Sequence, residues 1–225
     1  MQGLSLAASG LRLAFSGEGV IDLPELTVAP GTLTVLTGPS GSGKSTLLYL
    51  LSGLLRPDTG SVAWAGENIS RLSEPRRDRW RRQHAGFIFQ NFHLIDELSP
   101  LDNVLVPLWF DRLSAASAKP RALALLDRLE VPTRRAHVSQ LSRGQQQRIA
   151  MARALIGDPK VIFADEPTAS LDVASGEIVI ETLRKLACDD GRTVLVASHD
   201  PALRAVATSV VQLDHGRTVF IGVAA

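Results

Sequence analysis

Residues 38–46 read GPSGSGKST and stand between the apolar run 32–37 (TLTVLT) and the leucine-rich run 47–55 (LLYLLSGLL). Gly38, Gly43, Lys44 and Ser45 meet the phosphate-loop pattern G-x-x-x-x-G-K-[S/T] at every fixed position. A phosphate chain needs many donors at close range, and glycines let the backbone curl so that successive N–H groups point inward. The spacing predicts a helix from Lys44 to about Leu51, whose free N-terminal N–H groups and partial positive charge add to the cradle. Lys44 then neutralises the β- and γ-phosphates, and the Ser45 hydroxyl ligates Mg²⁺. Pro39, Ser40, Gly41 and Ser42 complete the loop, and Thr46 supports the α-phosphate side. Average composition produces such a match by chance in about one chain in a hundred of this length, and here the required strand and helix also flank it. The loop alone leaves kinases, GTPases and transport ATPases open.

A second stretch supplies what the loop lacks. In 160–168 (KVIFADEPT) four apolar residues carry Asp165 to the carboxyl end of a strand, the rim where open α/β sheets bind ligands. Asp165 is placed to hold Mg²⁺ through its water shell. Glu166 points differently, because successive strand side chains alternate, and becomes the general base for a water in line with the γ-phosphate. His199 closes another buried-type strand, 193–197 (TVLVA), and is read as facing the γ-phosphate from the same rim.

Around these motifs, short β-rich runs bounded by glycine and proline recur at 26–31, 31–38, 60–66, 86–90, 160–167, 192–198, 209–216 and 217–222. Runs 161–164 and 194–197 are almost wholly apolar, as strands buried on both faces of a parallel sheet are. Residues 99–158 instead carry helical signals, so a helical segment is inserted into an α/β core. The 225 residues, 45% hydrophobic, suffice for one domain with a real core. With 24 basic and 23 acidic residues, no global field argues for nucleic acid or an anionic lipid surface. One cysteine, Cys188, excludes an internal disulfide. No apolar run approaches the roughly 20 residues of a membrane span, and the N-terminus lacks the pattern of a secretory signal.

Five stretches in order, GPSGSGKST (38–46), FIFQNFHLI (87–95), LSRGQQQR (141–148), VIFADEPTASLD (161–172) and ASHD (197–200), resemble the ATP-binding cassette (ABC) ATPase family over essentially the whole chain. The resemblance implies a single cassette over 1–225. A P-loop NTPase (RecA-like) α/β core with a mainly parallel sheet and an N-terminal antiparallel part spans 1–90 and 159–225. A helical subdomain spans 91–158. It implies ATP and Mg²⁺ as cofactors. Gln90 reaches the Mg²⁺ and the attacking water. Ser142, Gly144 and Gln145 present a signature contact to the nucleotide of a second, identical copy, with Asp172 at the same seam. Phe15 is the candidate for stacking on adenine.

The resemblance also implies an integral-membrane permease as partner and a peripheral place on the cytoplasmic face of the cell membrane. The stretches 38–48, 86–108 and 141–155 look most like the branch of lipoprotein-releasing, macrolide-exporting and cell-division ATPases. A soluble family ATPase acting on nucleic acid or the ribosome, or a nucleotide-dependent scaffold, are the competing functions. Two departures stand out: Arg143 occupies a signature position that is glycine in most members, and would be strained if that site needs φ > 0; Phe15 replaces the usual tyrosine. The arginine-rich run 74–84 (EPRRDRWRRQH) around Trp80 is read as the charged face of a surface helix, diluted by Glu74 and Asp78. Trp64 and Trp109 are expected to pack. Surplus apolar residues in 92–108 are expected to fill a helical core and leave a groove beside Gln90 for a permease helix.

Overall fold

The computed structural model describes residues 2–15, 18–110, 115–132 and 137–223. Two sheets enclose one helix. A six-stranded sheet has the order β10-β9-β3-β8-β7-β6, built from β3 (Leu33–Thr37), β6 (Ala85–Ile88), β7 (Val161–Asp165), β8 (Thr193–Ala197), β9 (Ser209–Asp214) and β10 (Arg217–Val223). Its strands run parallel except β10, which turns back on β9. Every residue of β3, β7 and β8 is buried, as their mainly apolar sequences, broken by Thr34, Thr37, Asp165 and Thr193, require of strands covered on both faces.

The second sheet is antiparallel, in the order β2-β1-β4-β5, from β1 (Leu6–Phe15), β2 (Glu18–Val28), β4 (Thr59–Trp64) and β5 (Glu67–Asn68). Sequence alternation does not reveal β1, because an irregularity displaces it. Leu6 and Ala8 face inward, then Leu11 and Leu13, with the pairing to β4 shifted between Ser9 and Arg12. Gly10 sits at φ 58 in that step, a left-handed backbone that glycine adopts without cost.

Helix α1 (Lys44–Leu51) lies between the sheets, and this is why its leucines are buried: Leu47, Leu48, Leu50 and Leu51 join one core cluster with Leu11 and Leu23 of β1 and β2 and Leu36, Phe163 and Leu195 of the large sheet. Trp64 belongs to the same cluster, its indole N–H donating to the Leu51 carbonyl at 2.8 Å and its rings 6.1 Å from Trp80. Trp80 lies on α2 (Glu74–His84), where it is buried and cannot stack on a base. The arginines of that helix pair locally, Arg77 and Arg81 with Glu74, and Arg81 and Arg82 with Asp78.

The other face of the large sheet is covered by α6 (Val173–Cys188) and α7 (Pro201–Val206). Between β6 and β7 the described residues contain helices and no strand: α3 (Pro100–Leu105), a 3-10 turn over Val106–Phe110, α4 (Ala115–Arg128) and α5 (Arg143–Leu155). Val104, Leu105 and Leu108 fill the space between these helices, with Leu126, Ile149 and Met151. Trp109 departs from the expectation that it packs, since it is 49% exposed.

Candidate active site

Everything at the site hangs on the end of β3. Gly38 leaves the strand at φ 144, and a side chain there would overlap the Leu213 carbonyl and approach the Ser42 hydroxyl to 2.8 Å. Gly41 and Gly43 take φ 77 and 95, values that side chains rarely tolerate. Lys44 opens α1 only 8% exposed, its ammonium donating to the carbonyls of Gly38 at 3.0 Å and Pro39 at 2.8 Å. The buried Ser42 hydroxyl has no hydrogen-bond partner among the described residues.

Two neighbouring strands deliver the acids and the histidine. Asp165 ends β7, buried, and accepts from the Ser45 hydroxyl through Oδ1 and from the Tyr49 hydroxyl through Oδ2, each at 2.7 Å. Burial, the hydrogen bond to Asp165 and that carboxylate's charge push the Tyr49 phenol well above its ordinary range. Glu166 does turn away from Asp165, but strand alternation is not the cause. It lies one residue past β7 in the left-handed region at φ 43, its N–H bound to the Ala197 carbonyl at 2.8 Å. That backbone costs on the order of 1–3 kcal/mol, a strain that clusters at functional sites. Its carboxylate accepts from Ser198 Oγ at 3.1 Å and meets His199 Nδ1 at 3.0 Å.

These groups line one cavity of about 660 Å³: Val20, the loop residues 38–41 and 43–46, Gln90, Glu166, Ala169 and His199. The sequence reading thus brought Gly38, Pro39, Ser40, Gly41, Gly43, Lys44, Ser45, Thr46, Gln90, Glu166 and His199 to one place. Asp165 sits directly behind it through Ser45. Phe15 is not among the lining residues; it ends β1, 50% exposed, across the hairpin from Glu18. Ser198 and Tyr49 were missed; they stand one residue before His199 and four after Ser45, but their bonds to Glu166 and Asp165 cross between elements.

Ser142, Gly144, Gln145 and Asp172 lie outside the cavity. Ser142 caps α5, accepting from the Gln145 N–H at 3.3 Å, while the Gln145 side chain turns back to accept from the Ser142 N–H at 3.0 Å. Gln145 therefore serves this cap. Arg143 takes ordinary helical backbone as the first residue of α5, so the feared left-handed strain is absent, and its guanidinium lies 5.7 Å from the Phe92 ring centroid. Asp172 caps α6, and the amide and hydroxyl of Ser175 hold its carboxyl below the usual range.

Gly144 has a packing role of its own. A Cβ there would overlap the Ser175 hydroxyl and lie 2.8 Å from Ser175 Cβ, in the first turn of α6. Gly144→Ala gains up to about 1 kcal/mol of helix propensity but costs about 1–3 kcal/mol in forced separation. The expected outcome is a melting temperature lower by a few degrees; an unchanged or higher one means the two helix starts are not held this closely.

Fold and loop together define a P-loop nucleotide-binding protein. The sequence profile of the ABC transporter family matches residues 22–169. The chain is 44% identical over 208 residues to a macrolide export ATP-binding/permease protein, MacB 1/2, of Paracoccus denitrificans (strain Pd 1222), covering 91% of this chain and 31% of that protein. It is 43% identical to an uncharacterized ABC transporter ATP-binding protein of Mycobacterium bovis (strain ATCC BAA-935 / AF2122/97), covering 95% of this chain and 65% of that one. It thus spans about a third of the length of the MacB relatives and two thirds of the mycobacterial one. The dimeric structure of the bacterial ABC transporter cassette MJ0796 superposes with a TM-score of 0.89 at 33% identity, covering 98% of this chain and 99% of that one. The same cassette in a post-hydrolysis dimer bound to ADP and Pi superposes at 0.88, with equal identity and coverage. The chain belongs to the ABC transporter ATP-binding family.

Proposed function

We propose that this chain binds Mg·ATP in the Lys44 cavity, closes head to tail on a second copy, hydrolyses the nucleotide, and so drives a membrane permease between two states. One observation carries the reading: the hydrolytic set, Gln90, Glu166 and His199, shares a cavity with the phosphate loop, while the Ser142 cap faces elsewhere. A helix start that offers its partial positive charge and a capping hydroxyl, but borders no phosphate cradle of its own, suits the nucleotide of another chain.

The donor set suits Mg²⁺, which keeps several waters and is held by one or two protein oxygens together with substrate phosphates. Among the described residues no cluster of three or more acids, histidines or cysteines exists to hold a metal without a substrate. Ser45 and Asp165 are the residues that would hold it, with Gln90 on the open side; when bound it neutralises charge developing on the phosphates.

In the derived reaction Glu166 takes a proton from water. The water oxygen bonds to the γ-phosphorus, the bond from that phosphorus to the β–γ bridging oxygen breaks, and ADP and phosphate leave. Ser198 and His199 hold the two carboxylate oxygens of Glu166 in place, and in the imidazolium form the Nε2–H of His199 can donate to a phosphate oxygen. Lys44 gives up its loop carbonyls for the phosphates. Phe15, half-exposed instead of packed, is proposed to stack on adenine.

Transmission to the permease is assigned to a groove of about 480 Å³, lined among others by Phe87, Phe89, His93, Pro107, Leu108 and Arg153. Arg153 donates to the carbonyls of Phe92 and His93, two consecutive residues at φ 53 and 49, and thereby fixes the segment that follows Gln90. An apolar groove with such a rim accepts an amphipathic helix. No helix among the described residues is long and apolar enough to cross a membrane, and a cytoplasmic, peripheral location follows from the proposed partner. Affinity capture from detergent-solubilised cells with Mg·ATP is expected to recover an integral-membrane protein, together with phosphate release from ATP. Recovery of nucleic acid or ribosomes instead would favour the soluble-ATPase reading, and ATP binding without phosphate release the scaffold.

A further inference from the structure

Helix α1 brings two hydroxyls to the same carboxylate. Ser45 and Tyr49 are four residues apart, hence one above the other on a single helix face, and each donates at 2.7 Å to a different oxygen of Asp165. The terminal torsion of an aspartate is broad and roughly two-fold, so one donor alone does not fix the carboxylate plane. Two donors from one rigid helix do. Tyr49 is half-buried and does not line the nucleotide cavity, so it reaches the chemistry only through Asp165.

We propose that Tyr49 is a positioning residue for the cation: its hydroxyl locks the Asp165 carboxylate in the plane that receives Mg²⁺. The lock matters most when the cation is bound, because the Ser45 oxygen is then engaged and Tyr49 is the donor that remains dedicated to Asp165. Groups that orient metal-site carboxylates in this way contribute about 10- to 100-fold to metal affinity. The inference rests on the reading that Asp165 serves Mg²⁺ in the Lys44 cavity.

The test is calorimetry of ATP binding to the whole chain, with Mg²⁺ and with excess EDTA, for the natural protein and Tyr49→Phe. The expected result is a Mg²⁺ requirement raised about ten-fold in Tyr49→Phe, with metal-free ATP affinity unchanged; a merely structural tyrosine would weaken both equally or neither. Equal Mg²⁺ dependence in the two proteins overturns the proposal. If the natural protein itself binds ATP identically with and without Mg²⁺, the reading of Asp165 fails first and the role of Tyr49 with it. The chain's one tyrosine gives a second readout that needs no substitution. 3-Fluorotyrosine incorporated at position 49 is expected to shift its ¹⁹F resonance when Mg²⁺ is added to the ATP-bound protein, and a resonance that stays put contradicts the lock.

Discussion

Glu166→Gln is expected to convert the protein into an ATP-bound dimer that hardly turns over. The replacement keeps the size of the side chain and an oxygen that can still accept from Ser198 Oγ, so the left-handed turn after β7 and its bond to Ala197 remain. What disappears is the capacity to take a proton from water, worth about 10²- to 10⁴-fold in rate. Binding is untouched, because Lys44, Ser45 and the loop glycines supply it. With hydrolysis blocked and association intact, ATP holds the closed pair, since a ligand shifts a conformational equilibrium only through its differential affinity for the two states. Phosphate release should fall by those two to four orders of magnitude, and light scattering should report doubled mass with ATP and single mass without it. Normal turnover in a chain that stays monomeric would remove Glu166 from the role of base.

Lys44→Ala is expected to lower nucleotide affinity by about a hundred-fold or more, since it deletes a charged donor worth about 1.5–3 kcal/mol per hydrogen bond to the phosphates. The same substitution should leave the fold intact. Lys44 is nearly buried, has no carboxylate partner among the described residues, and bonds only the carbonyls of its own loop. Removing a nearly buried ammonium that has no counter-ion among the described residues relieves its desolvation cost, which offsets the two hydrogen bonds to the loop carbonyls that are lost. Calorimetry that detects no ATP binding, beside a melting temperature equal to or above that of the natural protein, is the expected pair of results. Retained affinity would mean that the loop N–H groups alone hold the phosphates.

The contrast between these residues and the ones first missed shows what a sequence pattern can carry. The loop 38–46 and the strands β3, β7 and β8 were legible because they carry a fixed spacing or a short, mainly apolar run bounded by turn residues. Asp165, Glu166 and His199 followed, each standing at or just past a strand end. Strand β1 was hidden by the shift at Gly10, which moves the inward residues from Leu6 and Ala8 to Leu11 and Leu13. The direction of Glu166 was anticipated for the wrong reason, its φ of 43 being a tertiary demand that no pattern announces. Gln145, expected at the nucleotide of a second copy, also closes a capping box, a local bond legible from the S-x-x-Q spacing itself. Tyr49 and the tight approach of Gly144 to Ser175 needed coordinates, because each depends on how separate elements meet.

The central claim is that a nucleotide held at Lys44 of one copy is covered by the Ser142 cap of another. A structure of Glu166→Gln with Mg·ATP tests it most directly. The account predicts two nucleotides at the seam, each with Ser142 Oγ of the opposite copy within about 3 Å of a phosphate oxygen. Nucleotide bound at Lys44 with both Ser142 side chains remote from it, or a protein that stays single under saturating ATP, would contradict the account.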